Sequence, residues 1–524
     1  MVSNPPYFNR ANVHLLWLTL LSLVLSFGWF LLDGNIGIDL ADEGYLWYGL
    51  RAVKAGMLPT RDFQAYDPGR YFWVTAWSTL FGEGLIGMRA ACVLFSCMGV
   101  TCGLLAARRI STDWRFLVAM ALCLVLWMFP RYKSFEQSIA LMGVYMAVRL
   151  IERPCSRQFF LSGIFIGLMA FMGRNHGVYM VLAFGLILLI LSRGEWSALP
   201  KRVLLSGAGI VVGYLPQLLM FLLAPGYFRA FFEMLARELS LGTNLGCPVP
   251  WPWLIGPENQ GLMFICNAVQ RCFYVALPLF IAATLFPLLS FGPAKAARHP
   301  LLIAAAAVTI PYAHFTFSRP DCVHLAHAVP ALILGIAALF HWLSPVFLRA
   351  VAFGLLAATV AGLALETGLG QKTVFPEGTF VEMKVQLERL HVPERNAAPL
   401  LLARALASRL AKPGDPIAFL AHLPGLYPAT NRLSPLKALY LIWPASLSED
   451  EALIAAFKEK QIKWVLLQDE MIDGRDDLYF HNTHPQTFAY IKQVFEPVVL
   501  DISCRNVTIY RLRQASAIPE VPSP

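Results

Sequence analysis

The sequence predicts a polytopic α-helical membrane protein, with about 11 transmembrane helices followed by an extracytoplasmic α/β domain. Three observations predict it. The 524-residue chain is 57% hydrophobic and only 14% charged, against about 25% charged in soluble domains, and its mean hydropathy is +0.57. Apolar runs of spanning length recur between residues 13 and 368. From Gly370 onward the composition turns polar.

The first run, Val13 to Leu32, is about 20 residues long with no small-residue cleavage site after it, which marks an uncleaved first helix. Further spans are read at 85–107, 114–130, 135–151, 159–173, 177–192, 203–223, 272–291, 300–317, 324–343 and 346–368. The run 72–82 is too short to cross and follows Pro68-Gly69, so it reads as a lead-in to the next span. With the N-terminus cytoplasmic, the inner loops collect Arg108, Arg109 and Arg115; Arg149, Arg153 and Arg157; Arg193, Lys201 and Arg202; Lys295 and Arg298; and Arg349. This is the positive-inside pattern, and it accounts for the net charge of +9 without nucleic-acid binding. Four of the ten cysteines (Cys92, Cys97, Cys102 and Cys123) sit in apolar helices as small hydrophobes. Cys247 and Cys266 share one polar loop, as a disulfide or as two free thiols.

The domain division that follows is 1–369 for the membrane part, with a long first outer loop at 33–84, then 370–514 for the α/β domain and 515–524 for a disordered tail. "DPIAFLAHLPGLYP" reads as a strand and loop, "EDEALIAAFKEKQ" as a helix, and "IKWVLLQDE" as a strand. "HPQTFAYIKQVF" and "NVTIYRLR" repeat helix then strand. No internal repeat is present.

The first outer loop is long for a helix connection, and such loops are often functional. From Asp42 the spacing is helical, and aromatics mixed with Arg51 and Lys54 suit an amphipathic helix at the membrane interface. Asp42 and Glu43 fall in its first turn, where the helix dipole favours carboxylates, so a plain capping role accounts for an isolated acidic pair. The neighbourhood carries more. Arg61, Asp62, Asp67 and Arg70 crowd around Pro59, Pro68 and Gly69, a density of charge that can build a polar site between two spans.

The segment "DEGYLWYGLRAVKAGMLPTRDFQAYDPGRYFWVTAW", followed by "LFGEGLIGMRA", resembles the first outer loop of the C-type (GT-C) membrane glycosyltransferases. It is closest to the branch of protein O-mannosyltransferases and the lipid A aminoarabinose transferase. The shared features are the acidic pair Asp42-Glu43, the Gly56 to Phe63 segment, a proline turn and Arg89 inside the next span. The turn reads Asp67-Pro68-Gly69 where the family more usually has Pro-Pro. The resemblance implies a bacterial cytoplasmic-membrane enzyme that moves a sugar from a polyprenyl-phosphate carrier to a lipid, glycan or protein acceptor on the extracytoplasmic side. It implies Asp42 as catalytic base with Glu43 beside it, and inversion at the anomeric centre. Some members use a divalent metal and others do not; no histidine cluster of metal-ligand spacing on an outer loop decides between them.

A lipid phosphate leaving group calls for cations. The first loop offers Arg61 and Arg70; the turn "FPRYKSFEQS" offers Arg131 and Lys133; "GRNHG" offers Arg174 and His176; "FSRPDCVHLAHAVP" offers Arg319, Asp321, His324 and His327. Snorkelling at the interface is the competing role for each. Arg174 and Arg319 stand out because each lies in a very short turn beside His or Asp, and ionisable groups at membrane depth are seldom idle. Asp62 and Asp67 complete the expected substrate-binding set. Trp251 and Trp253 in "CPVPWPW" fit an aromatic belt better than an acceptor cleft. Other functions weighed are a transporter or flippase, an O-antigen ligase or polymerase, and a non-catalytic assembly factor. The lack of an inverted repeat argues against the first.

Overall fold

The computed structural model describes residues 10–241, 247–375, 380–502, 504 and 506–513, with side chains described from His14 onward. The tail 515–524 lies outside the described residues. The chain forms two compact units: residues 1–35, 67–82 and 86–376 make the first, and residues 36–66, 83–85 and 377–524 make the second. The sequence reading left the first loop with the membrane domain; in the structure 36–66 and 83–85 cluster with the C-terminal residues instead.

The first unit is helical. Among the described residues seven helices are long and apolar enough to cross a membrane: His14–Asp33, Leu85–Ala107, Arg174–Leu191, Gly261–Ser290, Pro300–Ser318, Cys322–Leu343 and Pro345–Leu363. The number rises to nine if each of two bent pairs is one span. Trp114–Leu126 and Arg131–Glu152 meet at 103°, and Trp196–Gly213 and Leu215–Leu223 meet at 53°. Pro130 and Pro216 stand at or just after the two breaks, where a ring in place of an N–H ends the helical ladder. The expected eleven exceeds seven because several helices are short. The 13 residues of Trp114–Leu126 rise only about 20 Å, below the roughly 30 Å of a bilayer core. Large apolar side chains face outward on many of these helices, with Leu31 and Leu222 both 80% exposed, as lipid-facing residues must be. Arg131 closes the end of the first helix: its Nη1 lies 2.7 Å from the buried Asp33 carboxylate, which also accepts the Leu369 N–H at 2.7 Å. The lead-in at 72–82 is a helix of its own, Pro68–Phe81. Cys247 and Cys266 are free thiols.

The second unit has a sheet and a hairpin. The hairpin pairs β1 (Phe380–Val385) with β2 (Glu388–Pro393), a feature the sequence reading did not anticipate. The sheet runs in the order β3 (Ile417–Leu420), β4 (Trp464–Gln468), β6 (Val507–Leu512), β5 (Phe495–Val498). β3 and β4 are parallel, and β6 is antiparallel to both its neighbours. The parallel pair needs a crossover, which includes the helix Leu447–Glu459; a Ser446/Glu449 capping box starts it. Asp450 in that helix accepts the Gln486 and Thr487 N–H groups at 2.7 and 3.0 Å and so holds the first turn of Pro485–Val494. Phe457, Val465, Leu467, Ile491, Phe495 and Tyr510 fill the core between helices and sheet.

The helix Asp42–Lys54 belongs to this unit and is not the interfacial helix its composition suggested. Residues Glu43 to Leu50 are all buried, and Trp47 and Tyr48 are completely so. A glycine permits this burial. A Cβ on Gly44 would sit 2.5 Å from the backbone N and Cα of Gly425. At the helix end, Arg51 and Lys54 both pair with Glu83, at 2.8 and 2.5 Å, and the Trp47 indole donates to the Glu83 carbonyl. The G44A substitution therefore forces backbone apart and is expected to destabilise the protein by about 1–3 kcal/mol. G28A, which meets nothing within 4 Å, should leave the thermal midpoint of the purified protein unchanged; equal midpoints for the two variants would refute the contact.

Candidate functional site

The chemistry-bearing residues form two groups, one in each unit. In the second unit, Asp42 opens its helix half-buried. The Tyr440 hydroxyl donates to its Oδ1 at 2.6 Å and the Tyr66 hydroxyl lies at 3.5 Å from the same oxygen. Tyr45 packs against both tyrosines, with ring centroids 4.9 Å from Tyr66 and 5.4 Å from Tyr440, and the His422 ring stands 5.6 Å from Tyr440. Burial and the adjacent Asp42 carboxylate raise the Tyr440 hydroxyl well above the ordinary tyrosine range, so it remains a proton donor to Asp42. Gln64 positions Tyr440: its Oε1 accepts the N–H groups of Leu439 and Tyr440 at 2.9 and 3.0 Å, while its own N–H donates to the Lys437 carbonyl.

The N-cap position is Ala41, so Asp42 stands in the first turn, where the helix dipole favours a carboxylate. Asp39 supports the turn before it, accepting the Ala41 N–H at 2.9 Å. Glu43 is 1% exposed and accepts the Asp39 N–H at 3.3 Å; its burial points to holding the loop. Arg61 and Asp62, both expected to meet substrate, form a bidentate pair with each other at 2.8 and 2.9 Å. The Arg61 bonds lower the Asp62 carboxyl below the usual range, and the Leu58 N–H adds to this. Their geometry is that of a turn staple.

In the first unit a buried polar cluster assembles from five segments. Arg70 pairs with Glu136 at 3.0 Å, with both side chains under 10% exposed. His176 Nδ1 meets the Tyr312 hydroxyl at 2.8 Å, and Phe315 packs on the rings of His176 and His327. The charged or titratable groups that face His327 are His324, Lys133, His176 and Arg70, and neither nitrogen of His327 has a hydrogen-bond partner. Arg319 contacts Asp321 at 3.1 Å, and Asp321 caps the Cys322–Leu343 helix by accepting the N–H and Nδ1 of His324, each at 2.8 Å. Burial opposes ionisation of Asp321, but these His324 bonds outweigh it and hold its pKa low. Asp67 grips Arg174 through Nε at 2.6 Å and the backbone N–H at 3.0 Å. Glu238 takes Nη2 of Arg174, leaving Nη1 buried and unpartnered.

The structure thus gathers His176 and His324 at His327, the first across the Phe315 ring and the second with ring centroids 5.5 Å apart. Tyr440, Tyr66, Gln64, His422 and Tyr312 escaped the sequence reading, because an isolated tyrosine or glutamine in an apolar segment has no spacing signature. Among the described residues no three His, Cys, Asp or Glu side chains come together as a metal-ligand set.

No family model and no curated protein matches the chain. Among solved structures it is similar to ArnT from Cupriavidus metallidurans in the apo state, at 14% identity over 96% of this chain and 98% of that one, with a TM-score of 0.48. The same protein bound to undecaprenyl phosphate gives 14% identity over 94% and 97%, with a TM-score of 0.49. An Archaeoglobus fulgidus oligosaccharyltransferase in complex with Zn and sulfate gives 12% identity over 87% and 67%, with a TM-score of 0.45. At these values the activity rests on the residues themselves.

Removing one member of the buried Arg70–Glu136 pair leaves the other charge uncompensated. R70M or E136Q alone is expected to cost about 3–5 kcal/mol in unfolding free energy, and the double substitution R70M/E136M to recover much of it. Denaturant titration of the protein in micelles checks this; additive losses would show that the two residues do not act as a pair.

Proposed function

We propose that this protein is a membrane glycosyltransferase that moves a sugar from a polyprenyl-phosphate carrier to an acceptor hydroxyl on the extracytoplasmic side, with Asp42 as the general base. The observation that supports it most is the Asp42 carboxylate, held at a helix start by the Tyr440 hydroxyl at 2.6 Å. A carboxylate fixed in this way on a rigid element can take a proton without first reorganising.

In the proposed reaction the acceptor hydroxyl gives its proton to Asp42 as its oxygen attacks the anomeric carbon. The bond from that carbon to the phosphate oxygen breaks, and its electron pair leaves with the lipid phosphate. The accumulating negative charge calls for cations. Cations of this kind stand in the first unit, where Arg70 pairs with Glu136, Lys133 lies three residues before Glu136, and Nη1 of Arg174 is unpartnered. The carboxylate partners Glu136 and Asp67 orient these guanidinium groups. Arg319 and His324 extend the same group through Asp321. A divalent metal has no assigned role in this scheme.

In reconstituted membranes containing carrier-linked sugar, D42N is expected to lower transfer by about 10²–10⁴-fold, the usual range for a general base. Y440F should lower it less, by about 10- to 100-fold, the equivalent of the 1.5–3 kcal/mol of one hydrogen bond to a charged group. Both variants should keep the wild-type melting temperature. Undiminished transfer by D42N would remove Asp42 from the reaction, and sugar-lipid movement without glycosidic-bond cleavage would make the protein a flippase.

A further inference from the structure

Beside the cation cluster, but outside the proposed chemistry, the first unit holds a second polar group. Gln270 Nε2 donates to Glu366 Oε1 at 2.7 Å and to the Gly362 carbonyl at 3.4 Å. Tyr274, one helical turn beyond Gln270, is 1% exposed, and its hydroxyl has no hydrogen-bond partner. The groups that face this hydroxyl are Cys322, Asp321, Glu366 and Arg271. A desolvated hydroxyl next to two carboxylates costs about 1–3 kcal/mol when left unsatisfied, which a ligand able to bond it would recover.

An aromatic wall adjoins this group. The Phe317 ring lies edge-on to Tyr274 with centroids 6.5 Å apart, and Trp251 continues the wall 6.4 Å from Phe317. Trp251 in turn stacks on Trp253 with 6° between the ring planes. A membrane belt needs only the rings at lipid-headgroup depth. It does not need an unsatisfied tyrosine hydroxyl, an amide and two carboxylates behind them. Apolar ring faces beside convergent donors and acceptors are the requirement of a pyranose, which has C–H faces and a hydroxyl rim.

We propose that Tyr274, Gln270 and Glu366, with Phe317 and Trp251 as the wall, bind one hydroxyl-rich, uncharged sugar ring. This rests on the glycosyl-transfer reading and names the substrate class that the reading leaves open. A ring hydroxyl donates to Glu366 while the Tyr274 hydroxyl donates to a ring oxygen. Burial, with the nearby Asp321 adding to it, raises the Glu366 carboxyl above its usual range and the Gln270 bond opposes this, so the group is suited to share a proton with a sugar hydroxyl. Asp321 belongs to both groups, through His324 on one side and Tyr274 on the other. The ring is therefore either the carrier-linked sugar or a sugar of the acceptor.

Saturation-transfer NMR on the full chain in detergent, with methyl hexopyranosides and methyl pentopyranosides as probes, tests the site without turnover. At least one glycoside should show transfer to its ring protons, with dissociation constants raised about tenfold or more in Y274F and E366Q, one hydrogen bond each. The same glycoside with a ring hydroxyl replaced by hydrogen should lose comparable affinity in the wild type and little in Y274F. In the transfer assay, competition by the bound glycoside against the carrier-linked sugar identifies a donor site, and competition against the acceptor an acceptor site. Absence of transfer for every glycoside, or equal affinity in both correctly folded variants, overturns the proposal. Normal glycoside binding in a protein whose D42N variant retains full transfer would instead fault the catalytic reading and leave the subsite standing.

Discussion

The approach of Gly44 to Gly425 is the constraint on which the second unit depends. Two backbones meet where any side chain would hold them apart, and the Gly425 N–H donates to the Leu40 carbonyl beside the contact. This seats the Asp42–Lys54 helix against residues nearly 400 positions later in the chain, so that its first carboxylate meets Tyr440. Gln64 makes the second tie, and Glu83 the third, at the helix end. Rigid surroundings hold a carboxylate in one geometry, and here that support comes from distant parts of the chain at once.

The first unit solves a different problem, the placing of charge inside an apolar bundle. Three of its buried carboxylates pair with arginines: Asp33 with Arg131, Asp67 with Arg174, Glu136 with Arg70. Such pairs add little net stability, because desolvation consumes most of the Coulomb attraction. They do orient guanidinium groups and restrict their rotamers. The histidines are treated otherwise. His324 is bonded to Asp321, whereas His327, one turn on, packs against Phe315 with both nitrogens unsatisfied.

Much of this was legible in the sequence, and the exceptions have physical causes. Hydropathy located the apolar helices, since burial in lipid imposes composition directly. Period-2 and period-3.6 patterns found β3, β4 and β6 and the helices at Leu447–Glu459 and Pro485–Val494. The Phe380–Pro393 hairpin was missed because its outward face reads like a charged loop. The mixture of tyrosine, tryptophan and arginine that suggested an interfacial helix at 42–54 equally suits a helix buried in protein with its basic end on Glu83; composition does not distinguish the two. The charges read as one substrate-binding set divide by geometry. Arg61 and Asp62 neutralise each other locally, whereas Arg70 pairs with Glu136, and His176 and His324 meet at Phe315 and His327 from separate helices. Pairing at separations of 60 residues or more leaves no mark on spacing, and for the same reason Tyr440 carried no signal.

The joint folding of the first loop with the C-terminal residues limits the route of the chain through the bilayer. Residues 36–66 and 377–513 share one fold, so they must occupy the same aqueous compartment. The number of crossings between them is then even, whatever their individual lengths. Seven spans and nine spans both satisfy this, since each leaves an even number after the first helix, as do the eleven read from hydropathy; eight or ten would not. The rule also sets an order of events during synthesis. The loop carrying Asp42 leaves the ribosome early, but Gly425 and Tyr440 are not made until the last span is complete. Asp42 therefore acquires the Tyr440 donor only once every span has been made, and a chain ending at the last span would leave its first loop without the Gly425 and Tyr440 contacts.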